Sequence, residues 1–234
     1  MTTGQVEDTV KVMSESKRFL EVKDVVKRFP GVVALDGVTM SVVAGTVHVL
    51  VGENGAGKST LVKCLSGVHG CDAGTILLEG KEHRPDTPKE AIDRGVRVIY
   101  QEFNLVPTLS VAENVLFERL PSRGGFVDRT SLRREAKKLL DRVGLDLPLN
   151  LPVENLGIAQ KQLVEIAKAL STDSQLIVMD EPTATLTSRE IDRLFRIIRE
   201  LRDEGRTIIY ISHRLEEIFE IGDRVTVMRN GGVV

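Results

Sequence analysis

The stretch Gly52-Glu53-Asn54-Gly55-Ala56-Gly57-Lys58-Ser59 satisfies the pattern G-x-x-x-x-G-K-[ST] at every position. Its flanks match what that pattern needs. Thr46-Val47-His48-Val49-Leu50-Val51 is a short apolar, β-branched run that predicts a buried strand. Thr60-Leu61-Val62-Lys63-Cys64-Leu65 predicts the start of a helix that Gly67 ends. A strand that feeds a glycine-rich turn and then a helix N-terminus makes an anion site: the glycines let backbone N–H groups converge, and the helix start adds about half a positive charge. Gly52 to Thr60 would therefore cradle phosphates, with Lys58 supplying a full charge and the Ser59 hydroxyl placed to ligate Mg²⁺. The pattern predicts a nucleoside triphosphate as ligand.

Composition narrows the remaining classes. At 234 residues, 41% hydrophobic and 28% charged, the chain suits one domain with an inserted lobe. A net charge of −2 argues against a nucleic-acid surface, which is usually strongly basic. The two cysteines, Cys64 and Cys71, lack metal-binding spacing and suit a reducing cytosol. Met1 to Arg18 mixes acids, bases and small polar residues and reads as a flexible tail. The longest uncharged stretch, 37–52, has sixteen residues, is split by Ala44-Gly45, and is too short to span a bilayer. Any membrane role would come through a partner.

Along the chain, Phe19 to Val25 alternates as a half-exposed strand, and Phe29 falls on a turn before Pro30-Gly31. An aromatic there is more often core than ligand contact. Val38 to Val43 and Gly74 to Gly80 read as further strands. Thr87-Pro88-Lys89-Glu90 is a capping box that starts a short helix ended by Gly95, and Val96 to Tyr100 is a strand that delivers Gln101. From Glu102 to about Asn155 the pattern turns helical and irregular: a second capping box at Ser110 to Glu113, a mobile surface loop at Pro121 to Gly125, and a helix behind Asp128 carrying Leu132, Ala136, Leu139, Leu140 and Val143. Leu163 to Leu170 is amphipathic, Leu176 to Met179 is an apolar strand, and Thr187 caps a helix whose Ile191, Leu194, Phe195, Ile198 and Leu201 face inward. Thr207 to Ile211 is a strand leading to Ser212-His213, followed by a short helix and a last strand from Arg224 to Arg229. Strands alternating with helices imply a parallel sheet covered on both faces, with ligands at the carboxyl ends of its strands.

Asp180 and Glu181 close one such strand. An acidic pair after a strand can simply cap a helix. In one sheet with Lys58 it points instead to Asp180 holding Mg²⁺ and Glu181 polarising the attacking water, a rate effect of roughly 10²–10⁴. Gln101 and His213 close their strands too and should emerge on the same edge. His213 would donate to the γ-phosphate, while Gln101 would sense either Mg²⁺ or the water. His48, His69 and His83 read as structural or solvated, and Cys64 as helix packing.

Taken together, these residues resemble the nucleotide-binding domain of ATP-binding cassette (ABC) transporters, from about Phe19 to Val234. The resemblance implies a mostly parallel α/β phosphate-loop NTPase core with N-terminal antiparallel strands and an inserted helical subdomain. It divides the chain into an ATP-binding core at 19–101 and 166–234 and a helical subdomain at 102–165, behind a tail at 1–18. It makes ATP and Mg²⁺ the cofactors and Phe29 the aromatic that stacks on adenine. Gln101 is similar to the Q-loop glutamine, His213 to the switch histidine, and Ala184-Thr185-Leu186-Thr187 to the D-loop, with Thr187 in place of its usual aspartate.

Leu156-Gly157-Ile158-Ala159-Gln160 occupies the place of the signature Leu-Ser-Gly-Gly-Gln, which in the family completes the ATP site of a second cassette. Gly157 lacks the serine hydroxyl, and Ile158 should resist both positive φ and close backbone approach. This loop is expected to be a poor partner, so another cassette must supply the good signature.

Gln101 to Pro107, Leu109 to Asn114, Val164 to Leu170 and Tyr210 to Arg214 are similar to importers of the ribose, galactose, arabinose and xylose type, whose ATPase subunits carry two cassettes. This chain resembles the first and reads as a fragment of a longer protein. The implied setting is the cytoplasmic face of a membrane, with permease subunits docked on 101–117 and an extracytoplasmic sugar-binding protein beyond them. Two other readings stand beside it: an ABC ATPase that acts on nucleic acid or the ribosome, and a regulatory ATP-binding domain without turnover.

Overall fold

In the computed structural model, which describes residues 17–234, the apolar runs do form buried strands. β1 (Arg18–Phe29) and β2 (Val32–Val43) form a long antiparallel pair. β3 (Val47–Gly52) then feeds the phosphate loop and α1 (Lys58–Leu65). β4 (Ala73–Leu78) and β5 (Lys81–Glu82) extend the first sheet, in the order β2-β1-β4-β5. α2 (Pro88–Asp93) and β6 (Val96–Ile99) lead into the insertion, which holds α3 (Val111–Val115), β7 (Ser122–Arg123), β8 (Phe126–Val127), α4 (Arg129–Arg142) and α5 (Ile158–Leu170). The chain returns through β9 (Leu176–Asp180), α6 (Ser188–Asp203), β10 (Thr207–Ile211), α7 (Leu215–Ile221), β11 (Arg224–Arg229) and β12 (Gly232–Val233).

The second sheet runs β12-β11-β3-β10-β9-β6, and every pair is parallel except β11 with β12. Alternation along its strands builds two cores. Val49, Ile177, Met179 and Tyr210 point to the face covered by α5, α6 and α7, while Leu50, Val178 and Ile209 point to the face shared with α1 and the antiparallel sheet. Each fully buried aliphatic side chain contributes about 1.5–3 kcal/mol. Because β6, β9, β10 and β3 are parallel neighbours, Gln101, Asp180, His213 and the phosphate loop leave the sheet along one edge.

Several expectations change in detail. The first strand is longer than Phe19 to Val25 and buries Phe19, Leu20, Val22 and Val25, with Phe29 as its last residue. Pro121 to Gly125 lies in a short hairpin, β7–β8, rather than an open loop; Gly124 (φ 62°) and Gly125 (φ 85°) form its turn. α5 is one continuous helix through residues 165 and 166, so the 165/166 division cuts a helix. The Ser110 box closes as expected, with Glu113 N–H donating to the Ser110 hydroxyl and Ser110 N–H to Glu113. At Thr87 the box opens by one residue, because Glu90 accepts from the Asp86 N–H instead. Residues 1–16 of the expected tail lie outside the described residues. Of its remainder, Lys17 pairs with Glu79 and Arg18 already belongs to β1.

Candidate nucleotide site

The phosphate loop owes its shape to glycine at two positions. Gly55 (φ 84°) and Gly57 (φ 102°) hold left-handed backbone, and a Cβ on Gly57 would lie 2.6 Å from the Ala34 carbonyl oxygen. Gly52 serves packing: a Cβ there would lie 2.4 Å from the Met228 carbonyl oxygen. Lys58 is buried, and its Nζ folds back to donate to the carbonyls of Gly52 (2.6 Å) and Glu53 (3.0 Å). An arriving phosphate would offer that ammonium a charged acceptor in place of two neutral ones.

A cavity of about 680 Å³ opens beside this loop. Asn54, Gly55, Gly57, Lys58, Ser59 and Thr60 form one wall, Phe29 stands at one side, and Gln101, Asp180 and Glu181 close the other. Gly52, Glu53 and Ala56 do not line it; Ala56 is buried in the core behind the loop. Phe29 is 37% exposed; His69 meets it in a T-shaped pair with ring centroids 5.2 Å apart, and Lys27 Nζ lies over its ring at 5.5 Å from the centroid.

Burial pushes the Asp180 carboxyl up from its ordinary value, and the charge of Glu181 adds to this, while Lys58 and the Ser59 hydroxyl pull it back down. An acid held this way gains from a cation. Ser59 and Asp180 both line the cavity, so two oxygen donors face the same space. Among the described residues no cluster of three or more His, Cys, Asp or Glu side chains is set to hold a metal. A two-oxygen set suits Mg²⁺, which takes its other ligands from phosphate and water.

Glu181 has left-handed backbone (φ 47°), a strained conformation for a non-glycine residue. Its N–H donates to the Ile211 carbonyl (3.1 Å), and its Oε1 lies 3.2 Å from His213 Nδ1. The structure thus joins the ends of β9 and β10 through the two residues expected to act on water and γ-phosphate.

Gln101 also borders a second cavity of about 670 Å³ between the end of β6, α1 and α5. Arg97 pairs there with Glu118, and Lys168 Nζ donates to the Asn104 carbonyl (2.7 Å), tying the segment after Gln101 to α5. Burial raises the Glu165 carboxyl and lowers the Lys168 ammonium from their ordinary values, and Glu165 Oε1 has no hydrogen-bond partner.

Leu156 to Gln160 lie apart from the nucleotide cavity. Leu156 is buried, Gly157 caps α5, and Gln160 accepts from the Gly157 N–H (3.0 Å). Part of the sequence argument is corrected here. Gly157 has φ −65°, and Ile158 and Ala159 are helical, so no positive φ is called for. Ile158 itself is 52% exposed at the start of the helix.

Asn230 and Gly231 also line the nucleotide cavity and were not expected there. Both have positive φ, Gly231 N–H donates to the Ala56 carbonyl (3.2 Å), and Asp36 N–H donates to the Gly231 carbonyl (2.8 Å). The signal was present: Asn-Gly after an apolar run is a strong hairpin mark.

The fold and this cavity define a phosphate-loop nucleotide-binding protein. Residues 35–184 match the ABC transporter family profile. The chain is 53% identical over 215 residues to a ribose import ATP-binding protein, RbsA 1, of Rubrobacter xylanophilus, covering 92% of this chain and 43% of that protein. It is 54% identical over 203 residues to the arabinose import ATP-binding protein AraG of Azospirillum brasilense, covering 87% of this chain and 39% of that one. It superposes on a nucleotide-free ATP-binding cassette from an ABC transporter with a TM-score of 0.82 at 30% identity, covering 93% and 90% of the two chains. The chain belongs to the ABC transporter family. It spans less than half the length of the curated relatives it matches.

Proposed function

We propose that this chain binds Mg-ATP and hydrolyses it as one cassette of a sugar importer's ATPase subunit. The observation that carries the reading is the single strand edge bearing Lys58, Ser59, Asp180, Glu181 and His213, with Phe29 across the cavity. In this reading Phe29 stacks on adenine, and the amides of 54–60 with Lys58 hold the phosphates. Ser59 and Asp180, with Gln101 nearby, would hold Mg²⁺, which neutralises phosphate charge. Glu181 accepts a proton from the attacking water, and His213 donates toward the γ-phosphate. Buried, preorganised donors act more strongly here than in water.

The signature at 156–160 does not line this cavity, and in this reading a second cassette with a consensus loop completes the site. The charged groove around Gln101, Asn104 and Lys168 is where permease subunits dock, at the cytoplasmic face of the membrane; a sugar-binding protein acts on the far side. Among the described residues no helix is long and apolar enough to cross a membrane. The similarity to ribose and arabinose import proteins favours a monosaccharide as cargo. A nucleic-acid or ribosome partner has no such support, and the intact Asp180-Glu181 pair speaks against loss of turnover.

Calorimetric titration with Mg-ATP tests the reading. A measurable heat of association is expected, and its absence in folded protein overturns the proposal. Co-purification of the full-length subunit with a polytopic permease is expected, and recovery with RNA instead would overturn the importer assignment.

A further inference from the structure

Glu217 lies in the first turn of α7, has no place in the chemistry described above, and is 4% exposed. Its carboxylate accepts four hydrogen bonds. Oε1 takes them from Thr183 Oγ1 (2.7 Å) and Arg214 Nη1 (3.1 Å), and Oε2 from Tyr210 Oη (2.9 Å) and Ser212 Oγ (2.7 Å). A buried carboxylate is costly unless its lone pairs are filled, and here they are.

The donors are not scattered. Thr183 lies two residues after Glu181, while Ser212 and Arg214 flank His213. Ser212 Oγ also accepts from the Arg214 N–H (3.1 Å). The loop after β9 and the loop after β10 are therefore bound to one buried group from below, while Glu181 and His213 meet above it. The upper contact needs such help. His213's side chain is 63% exposed and lacks packing to fix it, and Glu181 holds a strained backbone that surrounding structure must over-determine.

We propose that Glu217 is a positioning residue for ATP hydrolysis: through Thr183 and Ser212 it locks the two loops in register, so that His213 and Glu181 stay within hydrogen-bond reach. The proposal rests on the reading of Glu181 and His213 as the hydrolytic pair.

Thr183→Val removes one arm with little change of shape, and Thr183→Ser keeps the hydroxyl. In single-turnover hydrolysis of Mg-ATP by the full-length two-cassette subunit, Thr183→Val should slow the rate constant about tenfold while the Kd for Mg-ATP stays within twofold. Thr183→Ser should recover the wild-type rate to within twofold. In a His213→Ala background, Thr183→Val should cause no further loss, because both changes break one unit. Additive losses, or a wild-type rate in Thr183→Val, would overturn the proposal, as would a rise in Kd that parallels a fall in Tm.

Amide hydrogen exchange supplies a readout independent of turnover. Thr183→Val should speed exchange of the Glu181 N–H at least tenfold with the Tm nearly unchanged, and unaltered exchange would overturn the role. A wild-type two-cassette subunit that bound Mg-ATP without hydrolysing it would refute the ATPase reading, while the exchange result would still decide this one.

Discussion

The phosphate loop and the signature loop each end at a helix N-terminus, α1 at Lys58 and α5 at Ile158, yet the two starts are built differently. At α1 the capping residue Gly57 is left-handed and no side chain caps the helix, so its amides remain open to a ligand. A buried lysine and a serine stand beside them. At α5 no side chain caps the helix either, but the Gly157 N–H is taken by Gln160, the capping geometry is one that any residue adopts, and Ile158 stands exposed at the helix start. A helix dipole is common to both. What makes an anion site is the addition of open amides, a cation and room for the ligand, and only the first loop has all three.

The largest expected effect falls on the complete half. Glu181→Gln should leave Mg-ATP binding near wild type and lower turnover by roughly 10²–10⁴, measured by single-turnover phosphate release. Unchanged turnover would remove Glu181 as the base and erase the contrast with the depleted signature.

Next comes acid. β3, which delivers the phosphate loop, carries His48, whose pKa burial lowers to about 4, with Arg224 adding to the shift. Its Nε2 lies 2.7 Å from Thr226 Oγ1, and its Nδ1 has no partner. The folded pKa is depressed, so the unfolded chain takes up the proton first. Stability present above about pH 6.5 should drain as pH falls toward 4, by of the order of 3 kcal/mol. Glu165, on the helix that follows the signature, has the opposite sign: its raised pKa favours the fold as the carboxyl protonates. Urea midpoints against pH should fall for wild type across that window and flatten for His48→Gln. Equal slopes would show that His48 does not set the acid limit of this half.

Lys58→Ala is expected to weaken Mg-ATP binding about 10- to 100-fold, the 1.5–3 kcal/mol of a charge-assisted hydrogen bond. Calorimetry checks it, and an unaltered Kd would mean that the open amides suffice without the cation.

The two regions also differ in how legible they were. The phosphate loop, Asp180-Glu181, Gln101 and His213 stood out because parallel strands with continuous apolar runs have clear ends, and each polar residue sits at one. The first sheet was less clear. Register shifts between Val22 and Arg28, with Asp24 at φ 48°, break the alternation that would have shown β1 reaching Phe29. Its partner β2 begins at Val32, six residues ahead of the run that marked it. Asn230-Gly231 is marked locally as a turn, but its place at the cavity depends on Ala56 and Asp36, and the link from Glu217 to the β9 loop depends on Thr183, contacts far apart in sequence that no local pattern carries. At the signature, motif comparison identified the missing serine correctly but assigned a backbone demand that the helix does not make.

The smallest effect is therefore the most discriminating for the depleted half. A Cβ on Gly157 would meet nothing closer than Gln160 Oε1 at 3.8 Å, and its φ of −65° suits any residue. Gly157→Ser should stabilise the chain by a few tenths of a kcal/mol, because serine caps a helix slightly better than glycine. Ile158→Gly removes the exposed side chain at a helix-propensity cost of about 0.5 kcal/mol. Combined in a Glu181→Gln background, which preserves bound ATP, the two changes restore a donor and an open approach to the loop. Sedimentation velocity with Mg-ATP should then show head-to-tail pairing of the repaired chain, while the unrepaired Glu181→Gln chain stays monomeric at the same concentration. Pairing by the unrepaired chain would mean that the exposed Ile158 is accommodated after all, and that the two helix starts differ less in function than in structure.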